Sequence, residues 1–282
     1  MRKIYLLVIF TLVNATIFAQ QDITVCHTSA TEKFAVFASN KDFKASHATP
    51  GKYIHISEEG GKMIKFKCPD GVEANGYVIE AKTKTNNWIF VFQEWWGLND
   101  YIKKQSESLF KDLGNVNIIA LDMYDGKVTS QREDAARYMQ EFKQDRGNAI
   151  VKGALAYVGK NARVGTIGWC FGGGQSLLAT LTAGKQAAAC VIYYGMPVDD
   201  VAKLKELNAE VLGIFAIQDK WIGPETVAKF ETNMQTAGKK LILKSYNADH
   251  GFANPSNAEG YREEATKDAY ENTVAFFKAK LK

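Results

Sequence analysis

The residues of this chain best suited to chemistry gather around one short motif. Residues 164–167 are apolar and run into Gly168-Trp169-Cys170-Phe171-Gly172-Gly173-Gly174, with a helical stretch beyond. Gly-x-Cys-x-Gly between a strand and a helix is the pattern of a nucleophile elbow, with cysteine in the serine position. The glycines answer a steric need, because side chains two residues either side of the nucleophile would collide on so tight a turn. The following helix points its partial positive charge at the sulfur, which favours a thiolate. It also leaves the Phe171 amide free to donate to an oxyanion. A glycine-rich turn around a buried, inert cysteine would use the same residues. A phosphate-binding loop would not, because the Lys-Ser/Thr pair is missing.

A cysteine nucleophile needs a base and an acid to orient it, and this elbow requires the order nucleophile, acid, histidine. The four histidines are His27, His47, His55 and His250. Only His250 follows a late strand, in Asn247-Ala248-Asp249-His250-Gly251-Phe252. Asp219 ends the apolar run 211–217, and this is where the orienting acid belongs. Asp249 adjoins His250 and is badly placed to face its ring, while Asp199 and Asp200 read as helix caps. The loop after residues 88–92 reads Gln93-Glu94-Trp95-Trp96-Gly97. The Trp95 amide is the second oxyanion donor in this reading. Glu94 stands at the strand end where Cys170 emerges. Trp95 and Trp96 wall an apolar pocket, or pack in the core.

These residues need a scaffold, and the patterning describes one. Residues 52–56, 63–67 and 76–81 alternate and are separated by Gly60-Gly61 and Asp70-Gly71, which predicts antiparallel strands with turns between them. Short apolar runs then follow at 88–92, 116–121, 164–168, 187–194, 211–217 and 241–246. Helical stretches at 100–113, 132–142, 148–158 and 259–280 lie among them. Strands buried on both faces read as such runs. The alternation predicts an α/β fold, with a mostly parallel sheet, helices on both faces and an antiparallel N-terminal edge.

Taken together, Gln93-Glu94-x-x-Gly97, Asp122-x-Tyr124, Gly168-x-Cys170-x-Gly172-Gly173, Asp219 and His250-Gly251-Phe252 resemble the dienelactone hydrolase family of α/β-hydrolases, over residues 60–282. The resemblance implies a Cys170–His250–Asp219 triad that attacks an ester or lactone carbonyl. It also implies that Glu94 pairs with the resting thiol and takes its proton when substrate binds. Arg132 resembles one of two arginines that grip the substrate carboxylate in dienelactone-opening members. Asn254 stands where the second would be, and Ala136 replaces a family tyrosine. An amide loses the charge-assisted contact of a guanidinium, so a less charged ester or lactone is the expected substrate. The alternative is a catalytically weak binding protein on the same fold.

The remaining features narrow the class. Hydrophobic residues make up 46% and charged residues 23%, as in a folded globular chain. Arg2-Lys3, the apolar stretch 4–13 and Ala19-Gln20 read as a secretory signal over residues 1–19, which predicts a periplasmic or secreted protein. Residues 20–50 read as an extension packed loosely on a domain spanning 51–282. Without Arg2 and Lys3 the chain carries 33 basic against 31 acidic residues. That balance argues against nucleic-acid binding. No membrane contact is expected once the signal is removed, and a monomer is the expected state. Cys26 and Cys68 could pair, while Cys190 lies in an apolar run and reads as inert. No metal site is expected, because the histidines are scattered and the cysteines isolated, and no organic cofactor is implied.

Overall fold

Each apolar run from residue 87 onward becomes a strand of one sheet. The computed structural model describes residues 29–282. Its eight strands are β1 (Lys62–Phe66), β2 (Ala74–Ile79), β3 (Asn87–Phe92), β4 (Asn117–Leu121), β5 (Arg163–Trp169), β6 (Ala187–Tyr193), β7 (Glu210–Ala216) and β8 (Leu241–Tyr246). They lie in the order β1-β2-β4-β3-β5-β6-β7-β8. The pairs β1/β2 and β2/β4 are antiparallel, and every pair from β4 to β8 is parallel. All five residues of β4 are buried, whereas the edge strands β1 and β8 are only partly covered and carry Lys62, Lys65 and Lys244. Edge lysines discourage pairing with another chain.

The helices named below cover both faces. They are α3 (Asp100–Leu113), α4 (Arg132–Glu141), α5 (Gln144–Val158), α6 (Phe171–Ala183), α7 (Val201–Leu204), α8 (Pro224–Thr236) and α9 (Glu263–Lys280); α1 and α2 precede the sheet and are described below. Gly165 on β5 faces Phe277 of α9, so closely that a side chain there would clash. Its neighbour Thr166 bonds to Thr180 of α6 at 2.7 Å. Consecutive strand residues point to opposite faces, so α9 and α6 lie on opposite sides of the sheet. From β3 the chain moves outward to β4 and then returns to β5 on the other side. Such a switch point opens a crevice at the carboxyl ends of the strands, and Glu94 and Cys170 both follow strands that end there. Among the described residues, no helix is long and apolar enough to cross a membrane.

Two expectations are corrected. Residues 52–56 make no strand pairing. They are extended, with Ile54 and Ile56 each 81% exposed, while Tyr53 and His55 pack towards Tyr101 and Tyr77. Alternation reports a two-faced extended segment; it does not supply a neighbour for its amides. The last helix begins at Glu263 rather than residue 259, because Asn254, Asn257 and Gly260 close successive turns before it.

The described part of the N-terminal extension is not loosely packed. Helix α1 (Ala30–Ala35) starts with a capping box between Ser29 and Glu32. A 3-10 turn follows, and α2 (Lys41–Ser46) is capped by Asn40, whose side chain accepts from the amides of Asp42 and Phe43. Phe34 and Phe43 are buried. Around them Lys33 pairs with Asp199 at 2.5 Å, Lys44 with Glu133 at 2.7 Å, and Gln140 donates to Ser39 at 2.8 Å. Exposed ion pairs contribute little, so the buried aromatic rings do most of the holding. Cys26 and the signal-like segment fall outside the described residues.

Candidate active site

Cys170 sits between β5 and α6 with φ of 54° and ψ of −118°. A non-glycine residue adopts this strained backbone only when its surroundings impose it. The Cys170 amide is held by the carbonyl of Tyr193 at 3.0 Å, and its own carbonyl accepts from Gly173 at 3.0 Å. A Cβ on Gly168 would collide with the Gly172 carbonyl, and one on Gly172 with the carbonyls of Phe92 and Gln93. The two glycines of the motif are therefore required where β3, β5 and α6 converge. Phe171 opens α6, so no carbonyl within its helix claims its amide.

The acid and the histidine arrive from β7 and β8. Asp219 Oδ1 accepts from the amides of Trp221 at 2.8 Å and Ile222 at 3.0 Å. Its other oxygen lies 2.7 Å from His250 Nδ1, and both side chains are buried. This contact puts the Nδ1 proton towards Asp219 and aims Nε2 into the site, where it has no hydrogen-bond partner. Burial opposes a charged ring, but Asp219 and Cys170 outweigh it and hold His250 well above the usual imidazole range. Burial likewise opposes ionisation of Asp219, but His250 and the two amides bring its carboxyl below the usual range. Burial pushes the Cys170 thiol up, against the pull of His250. Glu94 is raised to about 7, again by burial.

The resting partner of the thiol is a residue that sequence reasoning set aside. His47, just past α2, places Nε2 at 3.7 Å from Cys170 Sγ. Its Nδ1 is held by the Phe43 carbonyl at 2.7 Å. Burial, with His250 nearby, lowers its pKa to about 3, so the ring is neutral. Its ring lies 4.5 Å from that of Trp95 and 5.3 Å from that of His250. Phe43 is fully buried against Trp95, Trp221 and His250. The N-terminal segment therefore roofs Cys170. The capping signals of α1 and α2 are legible in the sequence. Nothing in those residues says which surface the two helices cover.

The other expected site residues fall as follows. Trp95 is fully buried at the site, with its ring under Phe43 and His47. Trp96 packs on Trp95, and its carbonyl binds the Thr129 amide. Asn254 donates to Glu94 at 2.5 Å, so it holds that carboxylate in place. Glu94 is thus paired with Asn254 here, while the thiol faces His47. Arg132 donates from Nε to the His47 carbonyl at 2.7 Å. With Trp221, His250 and Asn257 it also lines a cavity of about 470 Å³. Tyr194, which follows β6, is buried beside Glu94. The scattered histidines and isolated cysteines of the sequence are also corrected. The fold brings His47, Cys170 and His250 together, with their ligand atoms within 4.8 Å of one another. Cys190 is buried in β6.

Known proteins are similar to this chain in sequence and fold. The dienelactone hydrolase family matches residues 74–281. Over 233 residues the chain is 28% identical to "Protein usf" of Aquifex pyrophilus, covering 78% of this chain and 99% of that protein. It is 28% identical over 204 residues to the carboxymethylenebutenolidase of Pseudomonas putida, covering 67% of this chain and 84% of that one. The solved structure of a dienelactone hydrolase-like promiscuous phosphotriesterase from metagenomic libraries aligns with a TM-score of 0.69. That alignment has 20% identity and covers 79% of this chain and 99% of the other, a likeness that speaks for the fold alone. The family match spans well over half of the chain, and the chain belongs to the dienelactone hydrolase family.

Proposed function

We propose that this member of the dienelactone hydrolase family, a hydrolase of ester or lactone bonds, is an exported cysteine hydrolase in which Cys170 is the nucleophile, His250 the base and Asp219 the orienting acid. The observation that carries this reading is the 2.7 Å His250–Asp219 contact beside a cysteine on a strained elbow.

In this mechanism His250, held above its usual range, carries at Nε2 the proton that has left Sγ, and the thiolate bonds to the carbonyl carbon. The carbonyl electrons move onto oxygen, which the amides of Phe171 and Trp95 receive. Collapse expels the alkoxide or enolate, which takes the proton from His250 and leaves a thioester. His250 then removes a proton from water, hydroxide adds to the thioester, and the departing thiolate recovers that proton. Glu94, raised to about 7 by burial, is the further acceptor that the family resemblance suggests for the thiol proton. Arg132 faces the substrate from the cavity wall. With Asn254 committed to Glu94, no second guanidinium stands where dienelactone-opening members carry one, and the cavity wall balances Arg132 and Lys220 with Asp42, Asp249 and Glu259, which favours esters and lactones of low charge.

Hydrolysis of a panel of activated esters and enol lactones tests the proposal. The expected result is turnover by the wild type that falls by several powers of ten in Cys170→Ala. Equal turnover by both proteins would sink it. Ligand-dependent stabilisation without turnover would favour the binding-protein alternative, which the covered nucleophile supports. Export rests on residues 1–19. Its expected signature is a mature chain in the periplasmic or culture fraction beginning near Gln20, and a full-length cytosolic chain would refute it.

A further inference from the structure

The roof over the nucleophile carries a feature that ester hydrolysis does not use. We propose that His47, Cys170 and His250 form a three-ligand site for Zn²⁺, which fastens the N-terminal segment over Cys170 and switches the enzyme off. The ligand set stands on geometry alone, while the inhibition rests on the hydrolase reading.

Both imidazoles are arranged as metal ligands are. His47 Nδ1 is tied to the Phe43 carbonyl and His250 Nδ1 to Asp219, each at 2.7 Å. Outer partners of this kind orient a zinc-bound histidine and leave Nε2 for the ion. His250 Nε2 is buried without a partner, and His47 Nε2 lies 3.7 Å from Sγ. On a tetrahedral zinc, with bonds of ~2.0–2.3 Å, two ligand atoms stand roughly 3.3–3.7 Å apart. The three ligand atoms lie within 4.8 Å of one another, so binding draws the widest pair closer by about 1 Å. A thiolate with two imidazoles suits zinc and rejects magnesium or calcium. On binding, Sγ and any protonated Nε2 release their protons to solvent. Three protein ligands leave a fourth position for water. The nucleophile and its base are then both occupied.

Titration of the full chain with Co²⁺, followed by Zn²⁺ competition, tests the site. The expected result is one equivalent bound, with a thiolate-to-cobalt charge-transfer band that zinc bleaches and Cys170→Ala abolishes. His47→Ala, and His47→Gln as a bulkier replacement, should weaken zinc binding at least ~10-fold. They should raise the zinc concentration needed for inhibition by the same factor, and a chelator should restore wild-type turnover. A band that persists in Cys170→Ala, or zinc affinity unchanged in both His47 variants, would overturn the proposal. Cobalt and zinc binding in a chain that hydrolyses no ester would support the metal site and refute the hydrolase reading. Turnover indifferent to zinc, with no band, would refute the metal site and leave the hydrolase reading intact.

Discussion

At the scale of single residues, the proposed mechanism rests on Cys170, Asp219 and His250, which three loops bring to one place. Asp219 is both an orienter and a charge partner, since it fixes the His250 tautomer and holds the ring above its usual pKa. Asp219→Asn keeps the shape but reverses the donor preference at Nδ1. Ester turnover should therefore fall about 10³–10⁴-fold with the fold intact, as judged by circular dichroism. A loss under tenfold would remove Asp219 from the mechanism. That Cys170, Asp219 and His250 would lie near one another was legible in the sequence, because an elbow constrains its glycines and the fold constrains the chain order of the loops beside it. His47 was not. It comes from a segment more than a hundred residues before the nucleophile, and no spacing rule links the two. Asn254 shows the converse. Its position pointed to substrate, yet its side chain is held by a buried carboxylate whose proximity only packing creates.

At the scale of elements, α1 and α2 are too short to persist alone. They hold their place by inserting Phe34 and Phe43 among the aromatic rings of the site. Phe43→Ala should cost about 3 kcal/mol of docking free energy, which is roughly a hundredfold shift towards the open state. Iodoacetamide should then alkylate Cys170 at least tenfold faster than in the wild type. An unchanged rate would mean that the segment does not gate access. The extended stretch 52–61 is anchored differently. Burial would raise the Glu107 carboxyl, but Ser57, Tyr77 and the Glu58 amide outweigh it and bring the group below its ordinary value near 4.5. A depressed carboxyl stabilises the fold above the unfolded-state pKa and loses that contribution as pH falls through the folded-state pKa. Glu107→Gln should therefore be less stable at pH 7 by about 1–3 kcal/mol, and the gap to wild type should narrow on acidification below about pH 4.5. Denaturant melts at several pH values check this, and a gap that widens in acid would contradict it. The alternation at 52–56 did not show which side chains face inward, because Ile54 and Ile56 are exposed while Tyr53 and His55 pack against Tyr101 and Tyr77. It could not reveal that side-chain bonds to Glu107 replace a strand partner.

At the scale of the whole molecule, a sheet buried on both faces carries a roof built from a separate, more lightly held segment. Hydrogen exchange should report this hierarchy. Amides of β3 to β7 should open only with global unfolding, whereas those of residues 30–46 should exchange through a smaller, local opening. Equal protection in both regions would mean that substrate reaches Cys170 without the roof lifting. The sequence by itself determined the layered α/β architecture, because the periods of its apolar residues match strands covered on both faces and helices covered on one. It also determined the elbow, because only glycine tolerates the approach of β3, β5 and α6 there. Tertiary structure alone decided what covers Cys170, which histidine the resting thiol meets, and that His47, Cys170 and His250 share one small volume. Those outcomes depend on the docking of surfaces far apart in the chain, and local periodicity carries no information about which surfaces meet.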